Sequence, residues 1–559
     1  MRLLLLFLLT SCAGVNAQGN RLAYLDAPSP DPYYVGPGFA KLTTPRWIGE
    51  DGVEAVAILS IDDMRDTAGY ENYLRPIINR LKAIDGRAPV SIFTCQVDPQ
   101  DMRLQKWLKE GLSIEVHTIA HPCPLLGAGG SIADARATVH NCIDLLAGIP
   151  NSMPMVFRMP CCDSQNSLSP RFFSEIFSRP TAVGNLLKAD SSVFTLLSTP
   201  GNRLEKYVPK LRGFVNYIRD YPYPYVIGGN CWEFPSVIPS DWEAQDRHGS
   251  KNPETVEDLK AALDRVVEMQ GLFTFVFHPH GWIGNDQVND LIDHAVKTHG
   301  KKLKFMTFPE VIARLEKNVL GGRSLQDGVR LFDANGDGVP EVHDREEDVA
   351  GAVFGSAPPV AGRLLDIDGD GQAESVSTSS IFNLKEGKWS LSPVKIPDAV
   401  RPRHADTRFV DLDGDRDLDI IVSSQEHQFI YRFEPGKPGW VKQFGGQRKS
   451  FGEALQIPPF VRKDGTNNGA WLARGRVFWQ NEDVGRGQAQ IIKRSFDELM
   501  KMAGAGAGVP MNPEESLRVM QPREGFRVDL VAAEPLVMDP VDIAWGPDGR
   551  MWVAEMADY

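Results

Sequence analysis

The chain has 559 residues, 42% of them hydrophobic and 24% charged, an ordinary globular mix that excludes wholesale disorder and leaves room for roughly three to four domains of about 150 residues. Its formal net charge of -13 at pH 7 excludes a nucleic-acid binder, which needs a basic face. Much of the acidic excess sits in Asp-rich runs after residue 330, so its meaning is local.

The N-terminus, MRLLLLFLLTSCAGVNAQGN, has one Arg, a short apolar run and then small residues. That pattern predicts an export signal over residues 1–17, too short to span a membrane and cleaved before Gln18. Leu9-Thr10-Ser11-Cys12 also resembles a bacterial lipobox, in which Cys12 would carry lipid. Either way the mature protein is expected to be exported: periplasmic, cell-surface or secreted. Six further cysteines lie between Cys95 and Cys231, where an oxidising compartment would permit disulfides of undetermined connectivity. Residues 18–45, with APSPDPYYVGPGF, read as an extended lead-in.

From 46 to 320 the pattern alternates. EAVAILSID, PVSIFTC, LSIEVHT, MVFRMP and LFTFVFHPH read as strands; YLRPIINRLKAI, MRLQKWLKEG and ETVEDLKAALDRVVEMQG read as helices. Such alternation predicts a parallel sheet with helices outside, an α/β barrel or open sheet. After Gly321-Gly322 helical periodicity fades, and short β-type runs with Asp/Gly-rich loops continue to about 495. Residues 496–515 read as a linker. Residues 516–559 hold strands around a Pro-Asp-Gly turn and are expected to be the incomplete start of a second β-propeller.

Three features fall at strand ends in the first domain. AILSIDDMRD ends a strand with Asp62-Asp63, IEVHTIAHP ends another with His117 and His121, and FTFVFHPHGW ends a third with His278 and His280. Loops after strand C-termini build the active sites of such folds. A carboxylate and two imidazoles suit zinc or a similar divalent ion and leave positions open for water and substrate. Each feature alone is weak, since paired histidines are commoner on surfaces and paired aspartates in turns. Their coincidence at strand ends is what points to a metal hydrolase.

Together these residues resemble the polysaccharide deacetylase family, the NodB-homology or carbohydrate esterase 4 group, over about residues 50–320. Ser60-Ile61-Asp62-Asp63 matches its first motif, His117-Thr118-Ile119-Ala120-His121 its second, Arg158-Met159-Pro160-Cys161 its Arg-x-Pro-Tyr third, and Phe275-Val276-Phe277-His278 its last. The resemblance implies a deacetylase-type (β/α) barrel and an acylated polysaccharide substrate. It implies that Asp63, His117 and His121 hold a divalent metal, zinc first, and that Asp62 is the general base that activates water. It implies that Arg158 keeps Asp62 ionised and oriented, that the backbone N–H of Cys161 stabilises the oxyanion, and that His278 protonates the leaving amine, with His280 as the alternative acid. The sequence departs from the pattern at Met64, where the family has Gly, and at Cys161, where it has Tyr; Cys162 follows, and a cysteine here could itself become a ligand. The support for the catalytic His falls on NCWEFPSVIPSDW, which offers Trp232, Asp241 and Trp242.

Three later segments share the form D-x-[DN]-x-D-x-x-x-[DE]. They place Asp333, Asn335, Asp337 and Glu341 in one loop, Asp366, Asp368, Asp370 and Glu374 in a second, and Asp411, Asp413, Asp415 and Asp419 in a third, where Arg416 replaces Gly. Oxygens at that spacing suit calcium. With β-type flanks they resemble FG-GAP or VCBS repeats, which implies an all-β, propeller-like region over 321–495. The last 40 or so residues resemble the start of a membrane-bound dehydrogenase propeller. The leading expectation is an exported metal-dependent deacetylase of polysaccharide or other acylated glycan, carried with a calcium-binding module open to cell-surface partners. The rivals are a catalytically degenerate glycan or cell-surface binding protein and the N-terminal part of a larger dehydrogenase-type protein.

Overall fold

The computed structural model describes residues 41–332 except 128 and 164–166, then 341–343, most of 358–498, residue 513 and most of 528–555. The expected signal peptide, Cys12, most of the lead-in and most of the 496–515 linker lie outside the described residues.

Continuous apolar runs make the central strands, because a strand covered on both faces needs no polar alternation. The elements run α1 (Thr44–Ile48), β1 (Ala55–Met64), α2 (Thr67–Asp85), β2 (Val90–Thr94), α3 (Met102–Glu110), β3 (Ser113–Val116), α4 (Ile132–Ala147), β4 (Val156–Phe157), α5 (Pro170–Phe172), β5 (Ala189–Asp190) and β6 (Phe194–Leu196). They continue with α6 (Lys210–Gly213), β7 (Tyr217–Arg219), β8 (Tyr225–Ile227), β9 (Cys231–Glu233), β10 (Ser236–Ile238), α7 (Asp241–His248), α8 (Pro253–Glu268), β11 (Leu272–Phe277), α9 (Asn285–His299), β12 (Leu303–Phe305) and α10 (Phe308–Asn318). Helix ends follow capping chemistry. Asp66 accepts from the Ala68 N–H at the start of α2, and Gly86 at φ 71° closes it.

These twelve strands form one sheet in the order β7-β6-β10-β11-β1-β2-β3-β4-β5-β9-β8, with β12 also on β1. All its pairings are parallel except β8–β9. The hydrogen-bonded order starts at β7 and ends at β8, so the barrel-type sheet does not close as a ring among the described residues. Central β1 lies between β11 and β2, which places the ends of β1, β2, β3 and β11 side by side. On one side of β1, Ala57, Leu59 and Ile61 join a core with Leu74 and Ile78 of α2 and Leu291 of α9. On the other, Val56 and Ile58 pack with Trp47 of α1 and Phe308 and Ile312 of α10. Leu325 and Val329 belong to this second core, so the packing of the first domain continues past residue 320.

The second half is antiparallel. A hairpin, β13 (Arg330–Phe332) with β14 (Glu341–His343), precedes a meander of β15 (Arg363–Leu365), β16 (Glu374–Val376), β17 (Ile381–Lys385) and β18 (Lys388–Leu391). A second comprises β19 (Thr407–Val410), β20 (Asp419–Ser423), β21 (His427–Glu434) and β22 (Gly439–Gln447); a third comprises β23 (Ala470–Ala473), β24 (Arg476–Trp479) and β25 (Ile492–Ser495). Leu365 and Ile381 pack on Ile420 and Trp440, while Ile421 and Phe444 on the other face of the second meander pack on Leu472 and Val477 of the third. Successive meanders thus share apolar cores as small antiparallel sheets. The final hairpin, β26 (Pro540–Trp545) with β27 (Met551–Glu555), leaves Trp545 66% and Trp552 64% exposed. No helix among the described residues is long and apolar enough to cross a membrane.

The third meander docks on the first half. Arg171 makes a two-pronged pair with Glu482 at 2.6 Å on each arm, and Gln480 donates to the Leu126 carbonyl at 3.0 Å. Trp471 and Phe478 join the core of the parallel-sheet domain.

Candidate active site

Asp62 and Asp63 close β1 and part immediately. Asp62 is 1% exposed, whereas Asp63 is half-buried with φ at 69°, a left-handed turn rare outside glycine. Thr118 and His121, at φ 67° and 54°, bend the loop after β3 in the same way. Backbone strain of this kind collects where a structure must aim side chains at a site. Ile119 N–H donates to the Thr138 carbonyl and Ala120 N–H to the Thr138 hydroxyl, which pins the loop to α4.

The two histidines converge on one carboxylate. His117 Nε2 lies 3.1 Å and His121 Nε2 2.7 Å from Asp63 Oδ1, and His280 Nε2 lies 2.8 Å from Asp63 Oδ2. Burial opposes ionisation of Asp63, but the imidazoles of His117, His121 and His280 close around it outweigh that and hold the carboxyl far below the usual carboxylate range. His117 Nδ1 is 2.8 Å from the Arg158 carbonyl, which can only accept, so Nδ1 carries the proton. Nε2 is then the ring nitrogen that faces Asp63. His121 Nε2 is buried beside the same oxygen without hydrogen-bond geometry. Two imidazole nitrogens and a carboxylate oxygen that face a common point are a donor set that a single cation can share. Asp63, His117 and His121, whose ligand atoms fall within 4.8 Å of one another, therefore fit a divalent metal by donor chemistry as well as position.

Beside them sits a buried ion pair. Arg158, fully buried, donates from Nη1 to Asp62 Oδ1 at 2.7 Å. Its other donors go to Ser60 Oγ, the Ser191 carbonyl and Ser191 Oγ at 2.9–3.0 Å, and its guanidinium lies 4.0 Å over the Phe93 ring. Asp62 Oδ2 is buried and has no hydrogen-bond partner among the described residues. The Tyr70 hydroxyl donates to the Asp62 carbonyl.

His278 completes the group. Asp241, at the start of α7, accepts from the His278 backbone N–H at 2.7 Å and from Nδ1 at 2.9 Å. Nε2 is thereby turned inward, 4.0 Å from Asp63 Oδ2. Burial opposes a charged ring, but the charge and hydrogen bond of Asp241, with Asp62 and Asp63, raise His278 to about 9. Trp282 packs edge-on against both His278 and His280.

Cys161 is bonded to Cys123, two residues beyond His121. Its side chain is thus consumed in a disulfide that joins the His121 loop to the strained turn of Cys161, Cys162 and Asp163, all at φ 48–59°. Cys95, Cys142, Cys162 and Cys231 are free thiols.

The Asp-rich loops are only partly within view. Asp333, Asn335, Asp337 and Asp413 lie outside the described residues, and Glu341 is described only as backbone in β14. In the second loop the oxygens of Asp366, Asp368 and Glu374 lie within 4.8 Å of one another. Burial, helped by the charges of Asp368, Asp366 and Asp370, raises Glu374 to about 9. Asp370 itself is tied at its N–H to Asp368. In the third loop Asp419 accepts from the N–H groups of Leu412 and Phe433, while Asp411 and Asp415 crowd a residue the motif did not include, Asp417. Burial, with Asp415, Asp419 and Asp411 adding, raises Asp417 to about 7.

Residues 512–559 match the profile of a domain of unknown function, DUF7133, which gives no support to the dehydrogenase resemblance expected there. No curated protein matches the chain. Among solved structures, a Mycobacterium smegmatis protein assigned as a polysaccharide deacetylase is similar at 14% identity and a TM-score of 0.34, over 49% of this chain and 92% of its own. The Puue allantoinase is similar at 12% identity and a TM-score of 0.34, over 49% and 93%. A family 4 acetyl xylan esterase from Clostridium thermocellum, in complex with a cobalt ion, is similar at 12% identity and a TM-score of 0.26, over 48% and 93%. At such identities and TM-scores these likenesses carry no argument about activity, which rests on the side chains.

Several working residues escape sequence reasoning. Ser60, Ser191 and Phe93 seat Arg158, and Tyr70 holds Asp62; Ser191, Phe93 and Tyr70 belong to no motif, and Ser60 has no role assigned within its own. Of the three candidates in NCWEFPSVIPSDW, Asp241 meets His278, whereas Trp232 is buried in the opposite core and Trp242 packs at Phe214. His280, expected as an alternative acid, sits on the Asp63 carboxylate with the other two imidazoles.

Proposed function

We propose that this protein is a metal-dependent hydrolase that removes N-acetyl or related acyl groups from a polysaccharide. The observation that carries the reading is the division of labour between neighbouring carboxylates. Asp63 is surrounded by imidazoles, while Asp62 is clamped by Arg158 with one buried oxygen left over.

Asp63, His117 and His121 would hold a divalent ion, zinc first, which when bound supplies Lewis acidity to polarise the acyl carbonyl and make a nearby water more acidic. Asp62 Oδ2 takes the proton from the attacking water as its oxygen bonds to the acyl carbon. Arg158 keeps that carboxylate ionised and oriented. The N–H of Cys161 donates to the developing oxyanion, a backbone role that survives the loss of the family's Tyr. His278, protonated at neutral pH and steered by Asp241, delivers a proton to the amine nitrogen as the C–N bond breaks. The products are a free carboxylate and a glycan amine.

The stacked meanders would carry calcium in their acidic loops and form a propeller-like accessory, and the N-terminal pattern fits export of the whole. The rival of a degenerate binding protein is separated by one experiment. Purified full-length protein, stripped of metal and reloaded with zinc, is given N-acetylated glycans. Acetate release that depends on zinc supports the hydrolase; metal and glycan binding without release sinks it.

A further inference from the structure

Beside the Asp63 cluster lies a second set of ligand atoms. A carboxylate oxygen of Asp62, the sulfur of Cys162 and a ring nitrogen of His278 lie within 4.8 Å of one another. His278 Nδ1 is engaged by Asp241, so the nitrogen on offer is Nε2. Arg158 occupies Asp62 Oδ1, while Oδ2 of this 1% exposed residue is buried and unpartnered. Cys162 is held from several directions. Its neighbour Cys161 is locked to Cys123, Asn216 donates to its carbonyl at 2.8 Å, and Asp163 next to it accepts from the N–H groups of Ser167 and Leu168. The backbone that carries the thiol is therefore fixed beside Asp62 and His278.

Sulfur, oxygen and imidazole nitrogen form a donor set suited to zinc, cobalt or cadmium rather than calcium or magnesium. Atoms sharing one such ion stand about 3–4 Å apart, given bonds of about 2.0–2.3 Å, so closure needs a side-chain shift of about 1 Å. The local field favours a cation. Burial pushes the Cys162 thiol up, and Asp62, Glu243 and Asp63 add to that while the charge of Arg158 opposes it.

We infer that Cys162, Asp62 and His278 form a second site for a thiophilic divalent cation and that filling it switches hydrolysis off. Binding exchanges the Cys162 thiol proton and the His278 Nε2 proton for the metal, with two protons released to solvent and no change of oxidation state. The ion occupies Asp62 Oδ2 and His278 Nε2, the two atoms that carry protons in the proposed reaction. The inhibitory half of the inference rests on that reading; the site itself does not.

The test uses the full-length protein, stripped of metal and titrated with Co2+. A sulfur-to-cobalt charge-transfer band should appear in the near ultraviolet only after the first, sulfur-free site fills. Acetate release should fall by about 100-fold or more as the band grows, the scale of losing general acid–base help. In Cys162→Ser and Cys162→Ala the band should vanish, and excess cobalt should no longer lower whatever rate each variant has. The half-buried Asp264, His294 and His299 group on α8 and α9 has no sulfur and adds nothing to the band. No band at excess cobalt, or the same band in both variants, overturns the site. A band without loss of rate overturns the switch. A protein that shows the band but never releases acetate refutes the hydrolase and leaves the site standing.

Discussion

Asp62→Asn separates the base from the ligand. The substitution preserves shape and keeps an oxygen to accept from Arg158 Nη1, now 2.7 Å away. Arg158 also keeps Ser60, both Ser191 contacts and the Phe93 face. What is lost is the charge assistance of one buried bond. Hydrogen bonds to charged groups contribute about 1.5–3 kcal/mol and neutral ones about 0.5–1.5, so the cost is about 1–2 kcal/mol. For a domain of this size that lowers Tm by about 2–8 °C, leaving the protein folded at assay temperature. The proton acceptor, by contrast, is gone, and turnover should drop by about 10²–10⁴-fold. Metal content by atomic absorption should match the parent, because Asp62 is not among the three residues that would hold the ion. The assay is acetate release from an N-acetylated glycan oligomer at saturating zinc. Release at the parent rate would remove Asp62 from the proton path. Loss of metal equal to that of Asp63→Ala would show that the two aspartates share a ligand role instead of dividing the work.

Asp63→Ala should lose metal and turnover together, since three imidazoles are then left without their shared carboxylate; retention of a full metal equivalent on dialysis would refute this. His278 acts while protonated, so the rate should fall as pH rises through its pKa, which Asp241 lifts to about 9 and a bound cation would bring lower. Asp241→Asn should move that fall to lower pH, and an unmoved basic limb in the pH–rate profile would exclude His278 as the acid. Calcium should raise Tm more at pH 8 than at pH 5. Glu374 ionises near its unfolded value of 4.5 when unfolded and near 9 when folded, so the metal-free fold holds an extra proton between those values and loses stability as pH rises, a loss that a cation at Asp366, Asp368 and Glu374 reverses. Equal calcium shifts at both values would count against that site. Arg171→Met removes the two-pronged partner of Glu482, leaves it the longer 3.8 Å contact with Arg462 and should cost about 1.5–3 kcal/mol; an unchanged melting curve of the full-length chain would show that the third meander is not bound through this pair.

The sheet was legible where burial is two-sided. EAVAILSID and LFTFVFH are near-continuous apolar runs, and they became β1 and β11, adjacent and parallel. The ligands were legible because β1 and β3 each deliver their polar residues directly after an apolar run. Long-range partners were not. Asp241 lies 37 residues from His278, and nothing in its own segment distinguishes it from Trp232 or Trp242 until the order β10-β11-β1 places α7 beside the site. The Cys123–Cys161 pairing likewise depends on β3 and β4 being neighbours. The motif-based reading of the third acidic loop missed Asp417 because it weighed spacing alone, whereas burial and the crowding of Asp415 decide which carboxyls interact.

The break near residue 321 reads as a domain boundary because the hydrophobic period changes there, yet the contacts do not respect it. Leu325 and Val329 pack under α10, and the third meander returns to the first domain some 300 residues after Arg171. The point of return is specific. Gln480 holds the carbonyl of Leu126, in the segment that carries His121 and Cys123, and Ser167 receives the N–H groups of Leu125 and Leu126 from the other side. Arg171, a few residues beyond, is tied to Glu482, Asn467 and Thr466. The loop that positions a metal-site histidine is therefore braced by a disulfide at Cys123 and by the β-rich half at Leu126. Loops without such bracing lie at the low end of local stability, and a histidine displaced by 1 Å no longer shares a point with its partners. The third meander, read from sequence as part of a separate accessory, is on this geometry a brace of the loop that carries His121.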